Sequence, residues 1–139
     1  MKVFEVMHQG VNWVTPDASL AQVANIMKND DVGAVPVGEN DRLIGMVTDR
    51  DIALRAFADG RDPAPLTARD VLTKGIVYCH TDETVEDAIR LMETKQIRRL
   101  PVIDDKKRMV GMLSVGDISH HNGREYMGEL MMAVTAAHA

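Results

Sequence analysis

The chain has 139 residues, 45% of them hydrophobic, with a formal net charge of −5 and a sequence pI near 5.5. That length and apolar content suit one folded body of ordinary size, and the acidic balance argues against a nucleic-acid partner held by a general basic field, although a local basic pocket is compatible with it. The single Cys79 has no internal disulfide partner, the opening MKVFEVMHQG lacks the apolar core of a signal peptide, and no run approaches the roughly 20 apolar residues that span a bilayer, so a cytoplasmic protein without membrane contact is expected.

In chain order, a leading strand is expected near residues 11–14. Leu20, Val23, Ala24 and Met27 then fall at i, i+3, i+4 and i+7, the spacing of one helix face, with Ser19 and Gln22 placed as a capping box. Two short apolar runs, 34–37 and 43–47, flank the polar GENDR and read as a hairpin, and a second helix should begin at Thr48. DGRDPAPLTARD, residues 59–70, carries Gly, two Pro and charges and reads as a linker. The same order then returns. A strand is expected near 76–79, and a helix through Val85, Ala88, Ile89 and Met92 starts at Thr84 with Asp87. A hairpin of 100–103 and 109–113 follows around DDKK, with a helix from Ser114. Ten Met against 4% aromatic residues leave the core to aliphatic and thioether side chains.

The return is a tandem duplication. DASLAQVANIMKNDDVGAVPV lies over DETVEDAIRLMETKQIRRLPV at a constant offset of 65, and Val6, Gly10 and Val11 fall over Val71, Gly75 and Ile76. One extra residue before Arg108 makes the offset 66 for GMVTDRDI (45–52) over GMLSVGDI (111–118). Each copy thus keeps a hydroxyl and a carboxylate three residues apart where a strand yields to a helix. Thr48 and Ser114 suit the N-cap position, and Asp51 and Asp117 suit the positive end of the helix dipole. The same geometry lets an acidic side chain accept ribose hydroxyls while free backbone N–H groups meet phosphate, so capping and binding are compatible readings of one motif.

VGAVPV followed by LIGMVTDRDI, and IRRLPV followed by MVGMLSVGDI, strongly resemble the CBS domain family, whose members occur as tandem pairs called Bateman modules. The resemblance covers about residues 1–122. It implies a mixed α/β (α+β) fold of two β-α-β-β-α repeats packed as one pseudo-two-fold module with a ligand cleft on each side. The repeats would be 1–58 and 71–122, joined by 59–70 and followed by a helical tail at 123–139. Relatives often bind AMP, ADP, ATP or S-adenosylmethionine, while others bind none, and the module usually regulates an attached enzyme or channel. Mapped onto this chain, the resemblance places the base of the ligand against Val14, Thr15, Val35 and Pro36 in one copy and His80, Thr81, Leu100 and Pro101 in the other. Apolar walls with a few polar anchors suit a small-ligand cleft, and core packing explains Val35 and Leu100 equally. Thr48 with Asp51, and Ser114 with Asp117, would hold ribose and phosphate. Positive charge differs between copies: Arg50 stands inside the first motif with Gly33 and Ala34 before the strand, whereas Arg98 and Arg99 precede the second strand. Arginine beside a hydroxyl and a helix start suits phosphate, and as solvated surface charge it needs no ligand. Arg98 stands where the family prefers Gly, so the two clefts need not take the same ligand.

Cys79-His80 and His120-His121 have no spacing that builds a metal cage, and neither a phosphate-binding glycine loop nor a nucleophile elbow is present, so no metal and no enzymatic activity are expected. Two functions remain: a stand-alone regulatory sensor of an adenine nucleotide, requiring no other cofactor, or a structural or interaction module without nucleotide. A homodimer is expected from apolar stripes at Ile52, Ala53, Ala56 and Phe57 and, in the tail, at Tyr126, Met127, Leu130, Met131 and Val134, which could alternatively fold back on their own module.

Overall fold

A computed structural model describes residues 1–136. The fold is mixed α+β and divides into two compact units, Asn12–Ile76 and Met1–Val11 joined by the chain from Val77 onward. The first unit contains helix α2 (Leu20–Asp30), hairpin strands β2 (Ala34–Glu39) and β3 (Arg42–Thr48), helix α3 (Asp49–Ile52) continued by a π-helical turn (Ala53–Phe57), and helix α4 (Ala68–Val71). The second contains helix α1 (Val3–Val6), strands β1 (His8–Gln9), β4 (Cys79–His80), β5 (Arg99–Ile103) and β6 (Met109–Ser114), and helices α5 (Val85–Lys95), α6 (Val115–Asn122) and α7 (Met127–Ala136).

The long helices follow the expected apolar stripes. Ser19 Oγ accepts the Gln22 N–H at 3.1 Å and Thr84 Oγ1 that of Asp87 at 3.2 Å, while the Asp87 carboxylate pairs with Arg90 at 2.9 Å rather than completing a box. Val85, Ala88, Ile89 and Met92 are fully buried; on α2, Leu20 and Val23 are buried, Met27 only partly, and Ala24 is exposed. The difference has a source in the tail, since α7 packs on α5 and α6 and closes their outer face with Tyr126, Leu130 and Ala133. The first hairpin turns tightly through Asn40 and Asp41, both left-handed at φ 54° and 63°; the second needs a longer turn, in which Asp104 Oδ1 accepts the N–H groups of Lys106 and Arg108 at 2.9 Å each.

The leading segments differ most from expectation. The end of the expected linker 59–70 is structured: Leu66 and Ala68 are buried, and Thr67 opens α4 with a capping box in which Asp70 accepts the Thr67 N–H at 2.8 Å. That bond holds the Asp70 carboxyl below its usual range. This segment stays with the first unit, where Leu20 N–H donates to Leu66 O and Ala68 N–H to Ala18 O. Its repeat equivalent, α1, belongs with the second unit, where Val3 N–H donates to Glu83 O and Val85 N–H to Met1 O. Each repeat's leading helix therefore packs with the other repeat. The strand expected at 11–14 reduces to one parallel bridge, Val14 with Val37, and that expected at 76–79 to Cys79 and His80, parallel to β5.

Tyr126 also anchors the tail by donating its hydroxyl to Glu86 Oε1 at 2.7 Å, which lowers the Glu86 pKa and raises that of Tyr126. Tyr126→Phe is expected to lower stability by about 1.5–3 kcal/mol in denaturant melts, as for a hydrogen bond to a charged group. Because the folded pKa of Glu86 is depressed, its contribution is present above the ordinary carboxylate value and disappears as pH falls through the folded one. The gap between wild type and variant should close in that acid range.

Candidate functional site

In both units the repeated motif forms a reciprocal cap at the end of a hairpin. Thr48 Oγ1 accepts the Asp51 N–H at 3.0 Å while Asp51 Oδ2 accepts the Thr48 N–H at 2.9 Å; Ser114 Oγ and Asp117 Oδ2 make the same pair of bonds at 3.1 and 2.9 Å. The residue before each first hairpin strand is tied to the same corner. Gly33 O accepts the Asp49 N–H and Arg98 O the Val115 N–H, each at 3.0 Å, and Ala34 pairs across the ladder with Thr48 as Arg99 does with Ser114. Each unit thus brings together two backbone positions, a hydroxyl and a carboxylate. One carboxylate oxygen is spent on the cap; Oδ1 is turned toward the unit's borrowed leading segment.

That segment runs beside the motif strand. Thr73 and Met46 exchange both backbone hydrogen bonds, at 2.8 and 3.1 Å, and β1 pairs antiparallel with β6, setting His8 opposite Met112 and Gln9 opposite Gly111. Thr73 Oγ1 lies 3.3 Å from both Asp51 oxygens, and Arg55 Nε 3.9 Å from Oδ1. In the other unit His8 Nδ1 stands 3.9 Å from Asp117 Oδ1. The carboxylate side chains remain 13% and 23% exposed, so both meet solvent. Sequence reasoning missed Thr73, Arg55 and His8. The signal available was the offset of 65, which lays His8 over Thr73, but nothing local says that a leading segment serves the other repeat.

Other expected site residues are distributed differently. Val35 and Leu100, expected as walls for a base, are fully buried in the two cores, and Val14, Ala34, Pro36 and Pro101 are buried as well. The parallel pairing of Val14 with Val37 and of His80 with Ile103 carries Thr15 and Thr81 away from the motif corner, because a parallel partner starts level with the start of β2 or β5 and ends level with its end. At about 3.3 Å per residue the separation along the strand is on the order of 10 Å. Stepping back along the same register brings Asn12 toward the start of β2, where its Nδ2 donates to Asp30 Oδ2 at 2.7 Å. Arg50 and Arg99 are exposed. Arg98 reaches toward the Val134 carbonyl in the last turn of α7, at 3.5 Å, a favourable place for a cation.

Cys79 is fully buried, and burial together with Glu83 pushes its thiol up to about 12, which makes it a poor nucleophile. Among the described residues, no three His, Cys, Asp or Glu side chains gather as a metal site, and no helix is long and apolar enough to cross a membrane.

Two mixed α+β repeats, each ending its hairpin in a hydroxyl-x-x-Asp cap, define a tandem-repeat architecture. The chain belongs to the CBS domain family: the family profile matches residues 3–57 and 68–122. It is 37% identical over 118 residues to Hypoxic response protein 1 of Mycobacterium tuberculosis, covering 84% of this chain and 82% of that protein. It is 40% identical over 117 residues to the CBS domain-containing protein YhcV of Bacillus subtilis, with the same two coverages. Among solved structures, that of Hypoxic Response Protein I with two coordinated zinc ions superposes with a TM-score of 0.78 at 36% identity, covering 87% of this chain and 98% of that one. The CBS domain pair of protein MJ0100, in complex with 5′-methylthioadenosine and S-adenosyl-L-methionine, superposes with a TM-score of 0.77 at 26% identity, covering 86% and 98%.

Proposed function

We propose that this chain is a cytoplasmic, non-enzymatic regulatory sensor that binds an adenine nucleotide of the AMP, ADP or ATP class at the capped corner of each repeat. The observation that carries the reading is the state of the two carboxylates. Asp51 and Asp117 are each fixed by the cap through Oδ2, while Oδ1 faces Thr73 and Arg55 in one unit and His8 in the other, and both side chains still meet solvent, which offers ribose hydroxyls an acceptor beside a helix start that favours phosphate. The adenosine compounds bound by the MJ0100 domain pair support the same ligand chemistry. A thermal-shift series with AMP, ADP, ATP and S-adenosylmethionine tests it. A ligand at 100 times its Kd should add about 2.7 kcal/mol of stability, a rise of several degrees. No shift with any of them would leave a structural or interaction module.

The sensor is further proposed to act as a homodimer. Phe57 at 64%, Met127 at 62% and Met131 at 59% are large apolar side chains left in water, while Tyr126 and Leu130 of the same tail stripe are consumed within their own unit. Light scattering is expected to give twice the 15.4 kDa chain mass at micromolar concentration, and Phe57→Glu or Met131→Glu to shift it toward the monomer. A wild type that stays at the chain mass would reject the dimer.

A further inference from the structure

The motif is the same in both units, but what faces its carboxylate is not. Asp51 is met by the neutral Thr73 hydroxyl and by Arg55, a permanent cation whose Nη1 also donates to Val71 O at 3.0 Å and Leu72 O at 2.8 Å. The offset of 65 lays His8 over Thr73 and that of 66 lays His121 over Arg55, so the corresponding positions around Asp117 hold two imidazoles. His8 Nδ1 is 3.9 Å from Asp117 Oδ1, and His121 Nδ1 is 3.3 Å from the Asp117 backbone oxygen. The equivalence extends to the backbone, since Thr73 is bridged to Met46 and His8 is opposite Met112. The difference therefore lies in side-chain chemistry at matched positions.

We propose that His8 and Thr73 are the residues that give the two sites different ligand selectivity: the Asp117 site prefers an anionic over a neutral adenosine ligand increasingly as pH falls, and the Asp51 site holds one preference throughout. This rests on the adenosine-ligand reading above. Imidazole is the side chain whose ordinary ionisation lies between about pH 5 and 8. Once protonated, His8 places a positive charge at the oxygen available to ribose. A phosphate on that ribose is attracted, while an uncharged nucleoside gains nothing and must share Oδ1 with the imidazolium. Thr73 changes no charge in this range, and Arg55 is always charged. His8 stands on β1 with its side chain 73% exposed. Around it, α6 presents Asp117 and His121, the β6 partner is Met112, and Glu5 of α1 is turned to the Lys2 N–H. Among the described residues Asp117 supplies the carboxylate within 4.0 Å of His8. The exposure limits the effect, and a change of about 3- to 10-fold is expected for a partly screened charge.

The test is calorimetric titration of AMP and of adenosine at about pH 6 and about pH 8. The proteins are Asp51→Asn, which isolates the second site, Asp117→Asn, which isolates the first, and Asp51→Asn combined with His8→Thr. In Asp51→Asn the ratio of AMP to adenosine affinity is expected to rise about 3- to 10-fold on acidification, relative to the change in Asp117→Asn. The comparison between sites cancels the second ionisation of the phosphate itself, near pH 6. His8→Thr should abolish the excess. An equal pH response at both sites, or an excess that survives His8→Thr, overturns the assignment while leaving the sensor reading intact. Failure of AMP and adenosine to bind the wild type at either pH overturns both.

Discussion

Titration of AMP into Asp51→Asn and Asp117→Asn proteins is expected to lose one class of sites in each, weakened roughly 10- to 150-fold, with the melting temperature of the free protein nearly unchanged. The asymmetry follows from how the two oxygens are used. Oδ2 accepts the backbone N–H of Thr48 or Ser114 at 2.9 Å, a bond an Asn carbonyl can also accept. Oδ1 faces Thr73 or His8, and there an amide N–H₂ cannot receive a ribose proton. Losing one hydrogen bond to a charged acceptor, at about 1.5–3 kcal/mol, sets the fold-change. What the fold loses is mainly the interaction of a charge with the helix dipole, about 0.3–1 kcal/mol. Alanine at the same positions separates the effects differently: it removes the Oδ2 hydrogen bond to the Thr48 or Ser114 N–H as well, and should cost about 0.5–1.5 kcal/mol more stability than asparagine. A binding loss in the Ala variants with none in the Asn variants would mean that the carboxylate supports the ligand through the cap and that Oδ1 is not the ribose acceptor.

The parts of this architecture that were legible in the sequence are those written locally. Apolar spacing located α2 and α5 because 3.6-residue periodicity needs no knowledge of distant partners, and the hairpins declared themselves through polar turns between two apolar runs. The Thr48 and Ser114 caps were legible for the same reason, with hydroxyl and carboxylate three residues apart. What was not legible is non-local. Pro63, Pro65 and the charges around them made residues 59–70 read as linker, while the burial of Leu66 and Ala68 depends on α2 and its neighbours some 45 residues earlier, from Ala18 on. Parallel register is equally invisible: nothing in VNWV or VYCH says which residue of β2 or β5 lies alongside, so the distance along the strand between Thr15 or Thr81, expected against the base of the ligand, and the capped corner could not be read. In the tail the apolar stripe was plain, yet its division into Tyr126 and Leu130 packed inward and Met127 and Met131 left outside depends on where α5 lies. The sites are thus half local motif and half borrowed neighbour, and the borrowed half is where the two copies differ.

The borrowed half is held by two glycines that open the repeated motif. A Cβ built on Gly111 would come within 2.5 Å of the His8 carbonyl oxygen and 3.4 Å of its carbon, both backbone atoms of β1, and within 3.0 Å of Met7 Sδ. A Cβ on Gly45 would meet Leu72 Cδ1 at 2.6 Å, the end of a flexible side chain, and Thr73 O at 3.0 Å. Both positions need glycine for close approach, but only at Gly111 does the worst contact fall on backbone. Gly111→Ala therefore cannot be absorbed by a rotamer change; β1 must move off β6, breaking a pairing only two residues long. A loss of about 1–3 kcal/mol is expected from overpacking, at or above its upper end because ladder hydrogen bonds go with it. Gly45→Ala should fall near the lower end, since Leu72 can turn aside while Thr73 yields slightly. Chemical melts of the two variants rank the costs, and amide hydrogen exchange locates them: in Gly111→Ala protection should fall in β1 and β6 while the β2–β3 hairpin keeps its own. Because β1 carries His8, the same substitution should also remove the acid-dependent preference at Asp117 without touching any group proposed to contact ligand. An alanine at 111 that leaves both stability and exchange unchanged would mean that the leading segment is not held against the motif strand as tightly as the backbone contact requires.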